Sequence, residues 1–355
     1  MEVLKPFRLK VVQSILEGYD HQKAFHLYFA HLCQQNRNWG SKDRKIYKAI
    51  CYAYFRLGHL VSACSIEEGI QMAVKGMNDG FADVNKAAIF PFVELCTDQL
   101  ADMHWFDCLL QQKPVYLCVH PKHLASVKQF IQNNGLPIVY EDANCIGLAP
   151  NTVCDEIIQR GRAWVMDKAS QAIAAQVEIH NNEAVWDACS GAGGKALFLS
   201  AFKSGPFHLT CSDKRLSILD NLKERFKTLQ FQQPKVELAD LTQGFQLPNL
   251  YDVIVLDVPC TGSGTWGRTP EHIAHFDLQS IQSYQVLQQN IFAEVIKHLQ
   301  PNGRLYYMTC SVFKAENEDN VAYWSKHYDL KVQQSNYAFD EKGLSDVLFC
   351  AELTR

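Results

Sequence analysis

Cys260, in Asp257-Val258-Pro259-Cys260, and Cys310, in Tyr307-Met308-Thr309-Cys310-Ser311, each directly follow a short apolar run that reads as a strand of a parallel sheet. The ends of such strands are where open α/β sheets do their chemistry. A single cysteine there could be a small core hydrophobe. Two, in a chain that also carries a glycine-rich turn after an earlier strand, suggest a nucleophile and a second thiol serving one reaction. Position alone leaves open which of the two attacks.

The turn is Asp187-Ala188-Cys189-Ser190-Gly191-Ala192-Gly193-Gly194-Lys195, between a strand and a helix containing Leu197 and Phe198. Its glycines let the backbone approach a ligand and bend sharply into a helix. A tight turn packed on the sheet would need them too. The spacing is neither Gly-x-Gly-x-x-Gly nor a Walker loop, which argues against a dinucleotide, a nucleoside triphosphate and an NAD-dependent dehydrogenase. Acids recur at strand ends: Asp187, then Asp213 at a place suited to ribose hydroxyls, then Asp240 and Asp257. One acid could simply cap a helix. Four on one rim suit a cationic, adenosine-containing ligand such as S-adenosylmethionine. Lys195 is placed either to orient Asp257 or to lower a thiol pKa, or is a surface lysine at a helix start.

The elements that must position these groups follow from periodicity. Up to Asp98 the pattern is helical, with Phe25, Tyr28, Phe29 and Leu32, and then Ile46, Ile50, Ala53, Tyr54 and Leu57, at spacings of three and four. Strand-like Val115–Val119 and Pro137–Tyr140 flank a helix over 120–133. From Trp164 strands and helices alternate: strands over 184–188, 208–212, 235–238, 251–256 and 304–308, with helices over 214–229 and 278–299. Leu348–Leu353 would close the sheet as an antiparallel strand. The expected fold class is α/β, a doubly wound, mostly parallel Rossmann-like sheet preceded by a small all-helical domain and a short α/β module. The expected domains are 1–105, 106–160 and 161–355.

With 355 residues, 47% hydrophobic and 20% charged, the chain is long enough for two or three domains with real cores. The first ten residues have no apolar h-region and no stretch approaches a membrane span, so a soluble cytoplasmic protein is expected, with no membrane partner. The thirteen cysteines are scattered, odd in number and without a Cys-x-x-Cys pair, so free thiols and no metal are expected. No heptad or long exposed apolar stripe stands out, and a monomer is expected. The net charge of −4 hides an asymmetry: residues 1–60 hold ten Lys and Arg against four Asp and Glu, and residues 61–150 hold five against ten. The N-terminal part is the better electrostatic footprint for nucleic acid, although a solvated helix face would look the same.

Residues 160–355 resemble the RsmB/Sun-type RNA (cytosine-5) methyltransferases through Asp167-Lys168-Ala169-Ser170-Gln171, Asp187 to Lys195, Asp257-Val258-Pro259-Cys260-Thr261-Gly262-Ser263-Gly264-Thr265, and Thr309-Cys310-Ser311 with Glu316-Asn317-Glu318. The resemblance implies that Cys310 is the nucleophile, Cys260 the base that releases it, and that Asp257, aided by Lys195, steadies the target ring. It implies that S-adenosylmethionine is held by Asp187, Cys189, Ser190, Gly191, Ala192, Gly193, Gly194, Lys195, Asp213, Asp240 and Asp257. The N-terminal helices more weakly resemble a shortened NusB-like RNA-binding domain, through Gly40 to Tyr47 and Ala53 to Gly58. Lys42, Arg44, Lys45 and Arg268 are then the expected RNA contacts, and Trp266 either stacks on a base or packs inside. The implied partner is RNA, foremost small-subunit ribosomal RNA, with transfer RNA as the alternative. A non-catalytic ribosome-assembly factor would not need Cys260, Cys310, Asp257 and Lys195 intact. Two departures stand out: Ser190-Gly191-Ala192 replaces the family's Ala-Ala-Pro, and Gly267 stands where an arginine often precedes Arg268.

Overall fold

The computed structural model describes residues 5–100, 109–244, 249–340 and 342–355. The expected boundary at residues 105 and 106 lies outside the described residues. The chain packs as two compact units, one of Met1–Gln112 with Thr265–Leu278 and one of Lys113–Gly264 with Gln279–Arg355. Among the described residues no helix is long and apolar enough to cross a membrane.

The first unit is helical, as its periodicity predicts. Helices Pro6–Glu17, Phe25–Gln35, Ser41–Arg56 and Ile66–Asp79 share one core. Phe25, Phe29, Ile50, Ala53, Tyr54 and Leu57 are buried in it, with Tyr28, Leu32 and Ile46 packed against it. The last of these helices starts on a capping box, in which Ser65 and Glu68 satisfy each other's backbone N–H groups, and stops at left-handed Gly80.

The segment Thr265–Leu278 folds with these helices although it lies between the two cysteines in the chain. Trp266 is only 1% exposed and packs on Phe90 and Phe276, so it belongs to a core and offers no stacking face. Arg56 donates to the Gly267 carbonyl at 3.3 Å, and Glu271 accepts the Phe25 N–H at 3.2 Å.

The second unit holds two sheets. The smaller runs β1 (Val115–Val119), β2 (Ile138–Asp142), β3 (Cys145–Leu148) and β4 (Ala163–Val165), ordered β2-β3-β1-β4. Its paired strands are antiparallel. Helices Leu124–Asn133 and Asp155–Gln159 complete a β-α-β-β-α-β unit. One face packs on those helices through Leu117, Val119, Val127 and Ile131; Cys118 and Trp164 join a second core with Ala196 and Leu197.

The larger sheet has β5 (Ala184–Asp187), β6 (His208–Asp213), β7 (Lys235–Leu238), β8 (Tyr251–Asp257), β9 (Leu299–Thr309), β10 (Lys331–Ala338) and β11 (Leu348–Thr354), ordered β10-β11-β9-β8-β5-β6-β7. Strands β9 through β7 pair in parallel. Val253 to Leu256 are wholly buried, as a strand covered on both faces requires. Chain order reverses between β5 and β8, and the crevice above such a switch point is where open sheets bind ligands.

One expectation needs correcting. Leu348–Thr354 is antiparallel, but it lies between β9 and β10 and does not close the sheet. The edge is β10, whose polar sequence Lys-Val-Gln-Gln-Ser-Asn is largely exposed and carries no apolar run to announce it.

Gly264 fixes how the loop after β8 meets its neighbours. Its N–H donates to the Cys310 carbonyl at 2.8 Å, and its carbonyl accepts the Val347 N–H at 3.0 Å. A Cβ here would fall 2.0 Å from the Val347 oxygen, which is backbone and cannot swing aside. Gly264→Ala is therefore expected to destabilise the protein by about 1–3 kcal/mol, read as a lower urea midpoint. Gly194→Ala, in open space at a helix start, serves as the near-neutral control. Equal midpoints for the two variants would contradict this packing.

Candidate active site

The carboxyl ends of β5, β6, β7, β8 and β9 and the loops that follow them build the site. The first is the glycine turn after Asp187. Gly193 takes a left-handed φ of 79° to enter helix Gly194–Phe202, and a Cβ there would also strike Leu222. Gly191 is left-handed too, at 51°, but faces open space. The turn is stitched to the end of β6: Ser190 donates its N–H and hydroxyl to the Ser212 carbonyl, and the Gly191 N–H donates to Asp213 at 3.1 Å. Asp213 also accepts from Arg215. Burial would raise its pKa, but the Arg215 and Gly191 hydrogen bonds lower it.

The loops surround a cleft of about 540 Å³ lined by Cys189, Ser190, Gly191, Ala192, Asp213, Asp240, Asp257, Cys260 and Cys310. Leu241, Pro259, Leu287 and Ile291 supply apolar wall, and Lys214 and Arg215 also line the cleft. Thr242 caps Asp240 through its N–H and hydroxyl and lowers its pKa.

Four of the expected cofactor residues do not border the cleft. Gly193 and Gly194 belong to the turn into the helix, and Asp187 and Lys195 lie behind it. Asp187 is 1% exposed, and neither of its oxygens completes a hydrogen bond. Burial and the charge of Asp257 raise its carboxyl to about 7, while Lys195 and the Ala196 N–H oppose the shift. Lys195, 8% exposed, reaches Asp257 at 2.5 Å. Its burial alone would lower the ammonium, but Asp257 and Asp187 hold it above the ordinary lysine value. A fixed cation therefore backs the one carboxylate that lies on the cysteine side of the cleft.

The two thiols meet, with Cys260 Sγ 3.2 Å from Cys310 Sγ. The bond to Cys310, then burial and the charges of Cys310 and Glu316, raise the Cys260 pKa well above the usual thiol value. At rest Cys260 is thus a thiol, able to donate to Cys310.

Behind the pair lies a group to which sequence reading gave no role. Glu316 is wholly buried and accepts four bonds: from the Thr261 N–H at 3.0 Å, the Thr261 hydroxyl at 2.6 Å, the Ser311 hydroxyl, and Gln288 Nε2 at 2.9 Å. Asn317 accepts from Thr309 and donates to the Ser311 carbonyl and Tyr337. The signal was present in the Glu316-Asn317-Glu318 motif, but only folding brings it under both cysteines.

Lys42, Arg44, Lys45 and Arg268 are all in the first unit, whereas the thiols are in the second. Lys42 and Lys45 are exposed on helix Ser41–Arg56, and Arg44 Nε donates to the Trp39 carbonyl at 2.9 Å. Among the described residues no group of three or more His, Cys, Asp or Glu is placed to hold a metal ion.

Comparison with known proteins agrees with this geometry. Residues 174–346 match the family described as 16S rRNA methyltransferase RsmB/F. The tRNA (cytosine(72)-C(5))-methyltransferase NSUN6 of Mus musculus is 30% identical over 173 residues, which cover 45% of this chain and 36% of that protein. The match to Homo sapiens NSUN6 covers 32% of it, so the chain spans well under half the length of either relative. The ribosomal RNA small subunit methyltransferase B of Enterobacter sp. (strain 638) is 24% identical over 351 residues, 88% of this chain and 81% of that one. Among solved structures, PH0851 superposes with a TM-score of 0.76 at 16% identity over 99% of both chains. NSun6 from Pyrococcus horikoshii with SFG gives 0.65 at 15% identity, covering 74% of this chain and 96% of that one. At such identities the structural likeness is one of fold. The family match begins at residue 174 and leaves the NusB-like reading of the N-terminal helices an expectation. Residues 174–346, with their turn after β5 and paired cysteines after β8 and β9, are a methyltransferase domain of the RsmB/F family.

Proposed function

We propose that the protein methylates carbon-5 of a cytidine in RNA, with S-adenosylmethionine as donor and Cys310 as covalent nucleophile. The observation that carries this reading is the 3.2 Å separation of the Cys260 and Cys310 sulfurs at the mouth of an acid-rimmed cleft. The donor fits the residues present. Gly191 opens onto free space, Asp213 suits ribose hydroxyls, Leu241 and Ile291 offer an apolar wall to a base, and Asp240 and Asp257 favour a cation. When bound, S-adenosylmethionine supplies a methyl group activated by a positively charged sulfur.

The chain's own groups then divide the work. Carbon-5 of cytosine is a poor nucleophile until a thiolate adds to carbon-6, and Cys310 makes that bond. Asp257, steadied by Lys195, faces the ring nitrogen whose charge changes as the adduct forms. Release requires loss of the carbon-5 proton, and Cys260 takes it. Its resting proton is held chiefly by the bond to Cys310; once Cys310 is bonded to carbon-6, Cys260 passes that proton to water in the cleft and, as the thiolate, takes the carbon-5 proton.

Both thiols must reach one base, so the target is an unstacked cytidine in a single strand, bulge or loop. Small-subunit ribosomal RNA is the favoured substrate. A relative named for that RNA aligns along 88% of this chain, whereas matches to relatives named for transfer RNA cover 45% and 56%. Residues 161–355 are assigned to catalysis, apart from Thr265–Leu278, which packs in the helical unit. The helical part, residues 1–105, is assigned to RNA binding through Lys42, Arg44 and Lys45, joined by Arg268, which packs in the same unit.

The test is to incubate protein, S-adenosylmethionine and candidate RNAs, comparing wild type with Cys260→Ala and Cys310→Ala. Cys260→Ala is expected to accumulate a denaturant-resistant RNA adduct, and Cys310→Ala to form none. Absence of methyl transfer by wild type together with absence of any trapped adduct defeats the proposal.

Asp187 gives a separate, pH-dependent expectation. A carboxyl raised to about 7 in the fold binds its proton more tightly than in the unfolded chain. The folded state therefore carries no penalty from it below about pH 4, loses stability as pH rises toward 7, and is level above that. Asp187→Asn should remove this loss, so the gap between variant and wild-type urea midpoints should widen from pH 4 to 7. A gap independent of pH would mean that Asp187 titrates normally.

A further inference from the structure

We infer that Glu316 is the positioning residue that sets the spacing of the two thiols; this rests on the cysteine mechanism proposed above. The carboxylate sits where the two cysteine loops meet. Thr261 directly follows Cys260, Ser311 directly follows Cys310, and Glu316 takes a hydrogen bond from each of these residues. Gln288 adds a third strut, donating both to Glu316 at 2.9 Å and to the Pro259 carbonyl at 3.0 Å, so the residue before Cys260 is tied as well as the one after it.

Geometry and charge make a carboxylate the fitting group. All four partners of Glu316 are donors, and a carboxylate is the side chain that offers acceptors alone. A glutamine could keep its oxygen toward the Thr261 and Gln288 N–H donors, but its amide nitrogen would oblige the Thr261 and Ser311 hydroxyls to accept where they now donate, and the charge would be lost. Bonds to an ionised acceptor are also roughly twice as strong as neutral ones, which suits a joint that must hold loops from separate strands. Glu316 does not line the cleft, so it acts through the loops and touches no substrate. Its negative charge disfavours a thiolate at Cys260, one of the causes that raise that thiol.

The test uses the full chain carrying Glu316→Gln in two backgrounds. With Cys260→Ala, where the RNA adduct accumulates, the added substitution is expected to slow accumulation by about 100-fold, the usual cost of displacing a reacting group by about 1 Å. Affinity for S-adenosylmethionine, measured by calorimetry, should be unchanged. With Cys310→Ala, the pH midpoint for alkylation of Cys260 by iodoacetamide should move to lower pH once the Glu316 charge is gone.

An adduct rate equal to that of the parent, a proportionate loss of cofactor affinity, or an alkylation midpoint that does not move down each overturns the assignment. Should Glu316→Gln fail to fold, Thr261→Val and Ser311→Ala decide, since each removes one hydroxyl donor; unchanged adduct rates in both would overturn it. Failure of the underlying mechanism reads differently, because Cys260→Ala alone would then trap no RNA.

Discussion

The register between β8 and β9 is the constraint on which the rest of the structure depends. Asp257 lies opposite Met308 in this parallel pair, and the Val258 N–H continues the ladder to the Met308 carbonyl at 3.1 Å. Cys260 and Cys310 leave the sheet just beyond that point. Neighbouring strands lie about 4.8 Å apart, so two side chains leaving adjacent strand ends can touch without strain. A slip of one residue would turn one of them to the opposite face. The continuous burial of β8 and the inner half of β9 makes such a slip costly, and the polar joint beneath the loops carries the alignment past the last ladder bond.

The electrostatics of the site follow from hydrogen-bond partners as well as burial. Asp213 and Asp240, which line the cleft, have strong donors of their own that lower their pKa values. Asp187, buried and with no completed side-chain hydrogen bond, is pushed toward neutrality. Lys195 lies between these regimes and is kept charged by Asp257 in front and Asp187 behind. Burying an ammonium with its carboxylate is seldom a net source of stability. Its worth here is directional: it fixes one carboxylate at the reacting end of the cleft while the others remain at the cofactor end.

The helical unit and the catalytic sheet are not independent cassettes in sequence. Thr265–Leu278 leaves the loop of Cys260, buries Trp266 and Ile273 among the N-terminal helices, and returns to start the helix Gln279–Val295, which carries Gln288.

Much of this was legible before folding because it rests on local periodicity. The apolar runs of β5, β6 and β8, the helical stripes around Phe25 and Ile50, and the glycines at 191 and 193 declare themselves within a few residues, since burial on both faces and left-handed backbone each demand particular residue types. The polar edge strand β10 did not, because an edge needs no apolar run. Trp266 was ambiguous because a ring that packs and a ring that stacks are the same residue. Family resemblance named Cys260 and Cys310, but no sequence spacing states that sulfurs separated by fifty residues lie 3.2 Å apart, or that Asp187 sits behind the cleft and Glu316 beneath both loops. Those are consequences of strand order and register, which sum weak preferences over the whole chain. Composition and motif determined the chemistry the chain carries; only tertiary structure decided which groups face each other and with what charge.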